Sequence, residues 1–226
     1  MPYPLLCLVG PTAVGKTELS LDLAEALNAE IVSADSMQVY RTMDIGTGKI
    51  TVQEQRGIAH HMIDVADPIY AYTVHEYAEQ ARPILAEIIA RGRLPLIVGG
   101  TGLYVRAVID HFDFAGTDRN PELREQLNQE AERLGSPILH ARLQLLDGEA
   151  ASRIHPNDAR RTIRALEIVM TTGQPRSANF QGTESPYRPI LIGVTSERQA
   201  LYRRIEQRID HMVEKGLVNE VSALVE

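Results

Sequence analysis

The chain has 226 residues, 44% of them apolar and 23% charged, with a formal net charge of −7. At about 150 residues per domain, that length carries one full core and leaves room for a small second unit. The acidic balance excludes indiscriminate nucleic-acid binding and leaves RNA contact to local patches, while no run nears the roughly 18 apolar residues of a membrane span.

The first residues lack the basic segment and long apolar core of a secretory leader, so export is not expected. The only cysteine, Cys7, falls inside the first predicted strand. A disulfide framework is therefore excluded within the chain, and a reducing, cytoplasmic setting is expected.

Apolar residues 5–9 predict a strand, followed by GPTAVGKT and by an apolar-periodic helix from Leu19 to Leu27. Gly10, Gly15, Lys16 and Thr17 fit the phosphate-binding loop pattern, and the strand, loop and helix around them are the context that pattern needs. In such a loop the backbone N–H groups of Gly10, Pro11, Thr12, Ala13, Val14 and Gly15 (proline contributing none) and the helix N-terminus wrap an anion. Lys16 adds a positive charge, and the Thr17 hydroxyl is placed to hold Mg²⁺.

Residues 30–33 predict a second strand, which in a doubly wound sheet puts the following Asp35-Ser36-Met37-Gln38-Val39-Tyr40 at the carboxyl edge where ligands bind. Three roles stay open for Asp35: a Mg²⁺-holding carboxylate, a general base, or a helix cap. His60 and His61 in HHMID have no ligand spacing and read as structural rather than metal-binding. Thr73 to Glu76 form a capping box ahead of a helix running to Gly92, which Pro83 is expected to kink or divide.

Residues 94–98 predict a third strand, ending in Gly99-Gly100-Thr101-Gly102. Kinases and ATPases often end this strand with an acid; here amides and the Thr101 hydroxyl face the site, which favours gripping a pyrophosphate over hydrolysing it, or forms only a tight turn. Between His111 and Pro189 the pattern is helical, over 121–134, 137–146 and 158–172. On the last of these Arg160, Arg161 and Arg164 share about a 100° sector opposite Ala159, Ile163, Leu166 and Met170. That cationic face suits either water or an RNA backbone.

Residues 173–189 read as a return linker, 189–194 as a fourth strand, and 198–216 as a helix with Leu201, Ile205, Ile209 and Met212 on one face. The whole predicts an α/β, P-loop NTPase-like, mostly parallel sheet flanked by helices with an all-helical insertion. Residues 1–115 and 189–226 would form the core domain and 116–188 the insertion.

GPTAVGKT, DSMQVY, DIGTGK (Asp44 to Lys49), HHMID, GGTGLY and IHPNDARRTIRALE, in this order, resemble the tRNA dimethylallyltransferase family, also called tRNA isopentenyltransferases. The resemblance covers essentially the whole chain. It implies that the loop holds the pyrophosphate of dimethylallyl diphosphate, with Mg²⁺ as cofactor, and that the acceptor is N6 of the adenosine 3′ of the anticodon in a tRNA stem-loop. It implies Asp35 as the base taking the N6 proton, Lys16 and Thr101 stabilising the leaving diphosphate, and Thr17 at the metal. It further implies that Asp35, Ser36, Met37, Gln38 and Thr101 meet the target base and its neighbours, and that Arg124, Asp158, Ala159, Arg160, Arg161 and Thr162 contact tRNA. A base flipped into a channel, with the prenyl donor entering from the other side, completes the implied picture, in a monomer away from membranes. Family members continue past the point matching Glu226, through a Gly-Tyr-Arg segment and further basic helices, so the C-terminal part of the core is expected to be shortened here. Two other readings of the loop are an ATP-dependent small-molecule kinase and prenyl transfer to free adenine nucleotides.

Overall fold

The computed structural model describes residues 2–110, 112, 120–175 and 184–225. The expected domain boundary at 115–116 and positions 176–183 of the expected linker lie outside them. The chain divides into two compact units, Met1–His111 with Glu184–Glu226, and Phe112–Thr183.

In the first unit a five-stranded sheet has the order β3-β2-β4-β1-β5. Its strands are β1 (Tyr3–Val9), β2 (Ala29–Ser33), β3 (His60–His61), β4 (Leu94–Gly99) and β5 (Tyr187–Gly193), and every pairing is parallel. The helices of this unit are α1 (Lys16–Leu27), α2 (Val74–Ala90) and α3 (Gly102–Ile109), followed after the second unit by α8 (Arg198–Glu214) and α9 (Leu217–Val225).

The apolar runs of the inner strands β1, β2 and β4 are continuous because both faces of the sheet are covered there, whereas Ile190 and Leu191 of the edge strand β5 are exposed. Leu5, Cys7, Val32 and Ile97 pack with Tyr77, Ala81, Leu85 and Ile88 of α2 and with Val105 and Val108 of α3. Leu6, Leu8, Ile31 and Leu96 point the other way, onto Leu21 and Ala24 of α1. Burial pushes the Cys7 thiol up to about 12, so it stays protonated core. Tyr77 stacks on Tyr104 with centroids 4.1 Å apart, and its hydroxyl donates to the Ser33 carbonyl at 3.0 Å.

The Thr73–Glu76 capping box is formed at the start of α2. Pro83 does not divide that helix, contrary to one arm of the sequence expectation. Ala81, Leu85 and Ile88 around it are fully buried, and that packing outweighs a penalty of about 3 kcal/mol for proline in a helix interior. The two-residue β3 lies where no strand is expected. Its His61 Nε2 lies 2.7 Å from the buried Glu30 carboxylate, which Arg91 also engages at 2.8 Å.

The second unit contains α4 (Pro121–Leu134), α5 (Ser136–Leu146), α6 (Gly148–Ser152) and α7 (Ala159–Thr172), and no strand among its described residues. Side chains of Asn120, Asp147 and Asp158 accept from the backbone N–H groups that open α4, α6 and α7. Leu127, Leu139, Leu143, Ile154, Ile163 and Leu166 make its core. Met170, expected on the apolar side of α7, is 40% exposed in the last two turns, where the Arg142 guanidinium approaches its sulfur at 3.4 Å. No helix among the described residues is long and apolar enough to cross a membrane.

Candidate active site

Register aligns the carboxyl ends of the central strands: Val9 of β1 pairs with Gly99 of β4, and Ser33 of β2 with Val98. The three loops that follow therefore open on one edge, the usual ligand position in such a sheet. A cleft of about 870 Å³ lies there, lined by the phosphate loop except Val14, by Thr17, by Asp35 to Gln38, and by Gly99 to Thr101.

The loop is shaped by local sterics. A Cβ on Gly10 would sit 2.4 Å from the Val194 carbonyl, so only glycine fits, and Gly15, at φ +98°, turns the chain into α1. Val14 is buried and anchors the loop from beneath. Lys16 Nζ donates to the carbonyls of Gly10 at 2.9 Å and Pro11 at 2.7 Å. Burial lowers the Lys16 ammonium from its usual value, the negative charge of Asp35 opposes that shift, and the positive charge of Arg208 adds to it. Lys16 thus senses one group of each sign across the cleft.

The second and third loops are joined to each other. Ala34 accepts from the Thr101 N–H at 3.1 Å, and Thr101 Oγ1 accepts from the Ser36 N–H at 3.0 Å. A Cβ on Gly99 would lie 2.1 Å from the Ala34 carbonyl, which explains a glycine at the end of β4. Asp35 Oδ1 accepts from the Met37 N–H at 2.9 Å, so the carboxylate is oriented through one of its oxygens. Ser33 Oγ donates to Gln38 Oε1 at 3.2 Å, fixing the amide, while Met37 is 45% exposed.

Thr17 and Asp35 supply the cleft with a hydroxyl and a carboxylate. The hydroxyl, beside the phosphate loop at the start of α1, suits Mg²⁺, which keeps several waters and completes its shell with substrate phosphates. No group of three or more histidine, cysteine or acidic side chains able to hold a metal occurs among the described residues.

Sequence reasoning missed the wall opposite the phosphate loop. Arg208 of α8 and Leu217, Glu220, Val221 and Leu224 of α9 line the cleft together with Met43, Gly46, Thr47 and Gly48. The signal available was the glycine pair in DIGTGK: Gly48 stands against the Arg208 guanidinium, whose Nη2 donates to the Thr47 carbonyl at 2.9 Å. A second cleft of about 710 Å³ also has Gly15, Thr17, Gly48 and Arg208 in its lining, with Arg56, His211 and Lys215 beyond them.

The remaining predicted residues belong to the second unit. Arg160 and Arg161 are exposed, and Ala159 and Asp158 are half-buried at the start of α7. Thr162 is fully buried. Arg124 and Arg164 both pair with Glu167, at 2.6 and 2.8 Å, and this fully buried carboxylate also accepts from the Asn120 N–H at 2.8 Å. Burial alone would raise the Glu167 pKa, but these hydrogen bonds hold it below the usual carboxylate range.

The family model described as IPP transferase matches residues 38–226. The tRNA dimethylallyltransferase of Bacillus subtilis (strain 168) is 50% identical over 98% of this chain and 71% of its own length. That of Symbiobacterium thermophilum is 49% identical over 100% of this chain and 71% of its own. Among solved structures, the full-length tRNA isopentenylpyrophosphate transferase of Bacillus halodurans matches with a TM-score of 0.68 at 47% identity, covering 99% of this chain and 70% of that one. A eukaryotic dimethylallyltransferase acting on tRNA matches with a TM-score of 0.83 at 30% identity, covering 99% of this chain and 56% of that one. The phosphate loop, the Asp35 turn and the Gly-Gly-Thr-Gly turn thus share one cleft in a chain that belongs to the IPP transferase, or tRNA dimethylallyltransferase, family of enzymes.

Proposed function

We propose that this chain transfers a dimethylallyl group from dimethylallyl diphosphate to N6 of the adenosine 3′ of the anticodon in tRNA, releasing diphosphate. The observation that carries the reading is that Lys16 and Asp35 line one cleft, an anion-binding loop and a carboxylate base supplied by different strands. Attack is at carbon. The N6 lone pair forms the new C–N bond, the allylic C–O bond breaks with its electrons going to diphosphate, and the N6 proton passes to the Asp35 carboxylate. Asp35 is oriented for this by the Met37 N–H. Lys16 and the loop amides, with Arg208 facing them, receive the charge that develops on the leaving group. The Thr101 hydroxyl holds the Ser36 turn and faces the same cleft. Thr17 would hold Mg²⁺, which when bound adds positive charge at the diphosphate.

Four residues shared by the linings of both clefts support a route in which the donor enters on one side and the base on the other. Arg160 and Arg161, exposed beside the Asp158 cap, are the best-placed cations for the anticodon stem. Ser36, Met37 and Gln38 are assigned to the target base, and Arg124, Asp158 and Ala159 to its RNA surroundings. Thr162, being buried, is assigned to holding α7 in place. The reading includes action as a monomer in the cytoplasm, the compartment expected for a chain whose single cysteine is free and buried.

The test is mass spectrometry of an adenosine-containing anticodon stem-loop incubated with the protein, Mg²⁺ and dimethylallyl diphosphate, beside reactions given ATP or free AMP. A prenyl-sized gain on the stem-loop, dependent on the diphosphate, is expected. Consumption of ATP without that gain would instead establish a kinase.

A further inference from the structure

Glu220 stands apart from the phosphate loop and from Asp35, yet it is among the best-satisfied carboxylates of the first unit. Its Oε2 accepts from the backbone N–H groups of Asp44 at 2.8 Å and Ile45 at 2.7 Å, and its Oε1 from that of Gly46 at 2.9 Å. Successive N–H groups converging in this way form an anion-binding nest, and here the anion is a side chain of α9, 174 to 176 residues away in sequence. Burial alone would raise the carboxyl; the three amides outweigh it and keep Glu220 ionised below the usual carboxylate range.

What the nest holds matters more than the nest itself. The next carbonyl, of Thr47, accepts from Arg208 Nη2 at 2.9 Å, and Gln38 Nε2 reaches toward it at 3.4 Å. The loop that Glu220 grips therefore orients Arg208, which lines the cleft together with the phosphate loop, and Gln38 of the Asp35 turn. Glu220 also fixes α9 so that Leu217, Val221 and Leu224 form an apolar wall of the cleft beside Met43. The contact is close: a Cβ on Gly46 would lie 3.0 Å from Leu217 Cδ1 and 3.4 Å from Glu220 Oε1.

We propose that Glu220 is a positioning residue for the prenyl donor, tying the 44–48 loop to α9 so that Arg208 meets the diphosphate while the apolar wall meets the hydrocarbon. The proposal relies on the prenyl-transfer reading only for the donor's identity.

The test compares the parent chain with Glu220→Gln and Glu220→Ala. Glutamine keeps size and stem but sets N–H donors against backbone N–H donors. The readouts are KM and kcat with dimethylallyl diphosphate, KM for the RNA stem-loop, the Kd of inorganic pyrophosphate, and hydrogen exchange at residues 44–46. In both variants the KM for the donor and the Kd of pyrophosphate should rise by about tenfold or more, with the KM for RNA within about twofold, since sub-ångström misplacement of a clamp carries losses of that order. Exchange at 44–46 should accelerate. A purely structural role would lower kcat with the folded fraction and leave KM and Kd alone; that result, or parental values throughout, overturns the proposal. If the parent itself transfers no prenyl group, the transfer reading fails, and the pyrophosphate affinities of variant and parent still decide the role of Glu220.

Discussion

Gly48 makes the space that Arg208 occupies: a Cβ at position 48 would lie 2.3 Å from Arg208 Nη2 and 2.9 Å from its Cζ. Gly48→Ala must push the guanidinium off the Thr47 carbonyl and also strains a backbone at φ +61°, which costs about 1–2 kcal/mol outside glycine. The expected outcome is a donor KM raised by about tenfold, with kcat falling less, since a binding cation is lost and the base is untouched. Steady-state kinetics against dimethylallyl diphosphate measure it, and an unchanged KM would remove Arg208 from the diphosphate site.

Asp35→Asn keeps the side-chain oxygen that accepts from Met37 N–H and removes only the proton acceptor. Transfer should fall by about 10²–10⁴-fold, the usual contribution of a general base, with pyrophosphate Kd nearly unchanged. Lys16→Ala should do the opposite in binding and weaken pyrophosphate measurably. Calorimetry with pyrophosphate beside single-turnover kinetics separates the two variants, and parental turnover in Asp35→Asn would rule it out as the base.

Glu167 gives the helical unit an acid limit. Its folded pKa is depressed, so its contribution to stability is fully present above the unfolded carboxylate value near 4.3 and fades as pH falls through the lower folded value. Glu167→Gln should lower stability at neutral pH by about 1–3 kcal/mol, the cost of unmaking charged hydrogen bonds, and should flatten the acid dependence below pH 4. Thermal melts of the two proteins from pH 3 to pH 7 test this; parallel curves would contradict it.

Arg160 and Arg161 are exposed, and of the two only Arg161 makes an ion pair among the described residues, to Asp158 at 3.4 Å. Replacing both with alanine should leave the melting temperature within about 1–2 °C, as exposed substitutions usually do. Stem-loop affinity should drop, and the slope of log K against log salt should shrink by about 1.4–1.8, at roughly 0.7–0.9 per phosphate contact on single- or double-stranded nucleic acid. A salt titration with an unaltered slope would take these arginines off the RNA.

The sheet was largely legible, and for physical reasons. Buried parallel strands leave continuous apolar runs, so β1, β2 and β4 announced themselves to within two residues at the ends, and so did the apolar run of β5 although Ile190 and Leu191 are exposed. The phosphate loop and the Asp35 turn were legible because their chemistry is local. What escaped was short or distant. β3 is two histidines, with no apolar pattern, and exists because β2 offers it an edge. α6 is five residues long, below what periodicity detects. Arg208 and Glu220 reach the cleft through partners 161 and 174 to 176 residues away, and nothing in the order of residues reports a contact closed by folding.

Sheet order also acts as a ruler. The carboxylate rides on the strand β2 and the phosphate loop on β1, with β4 between them. Two strand spacings set the ends of β2 and β1 roughly 10 Å apart in the backbone. The strand in the middle ends in Gly-Gly-Thr-Gly rather than in an acid. Strand order thus sets the proposed base and the anion loop on either side of one intervening strand, and in the proposed reaction that gap is where the amine and the allylic carbon would meet.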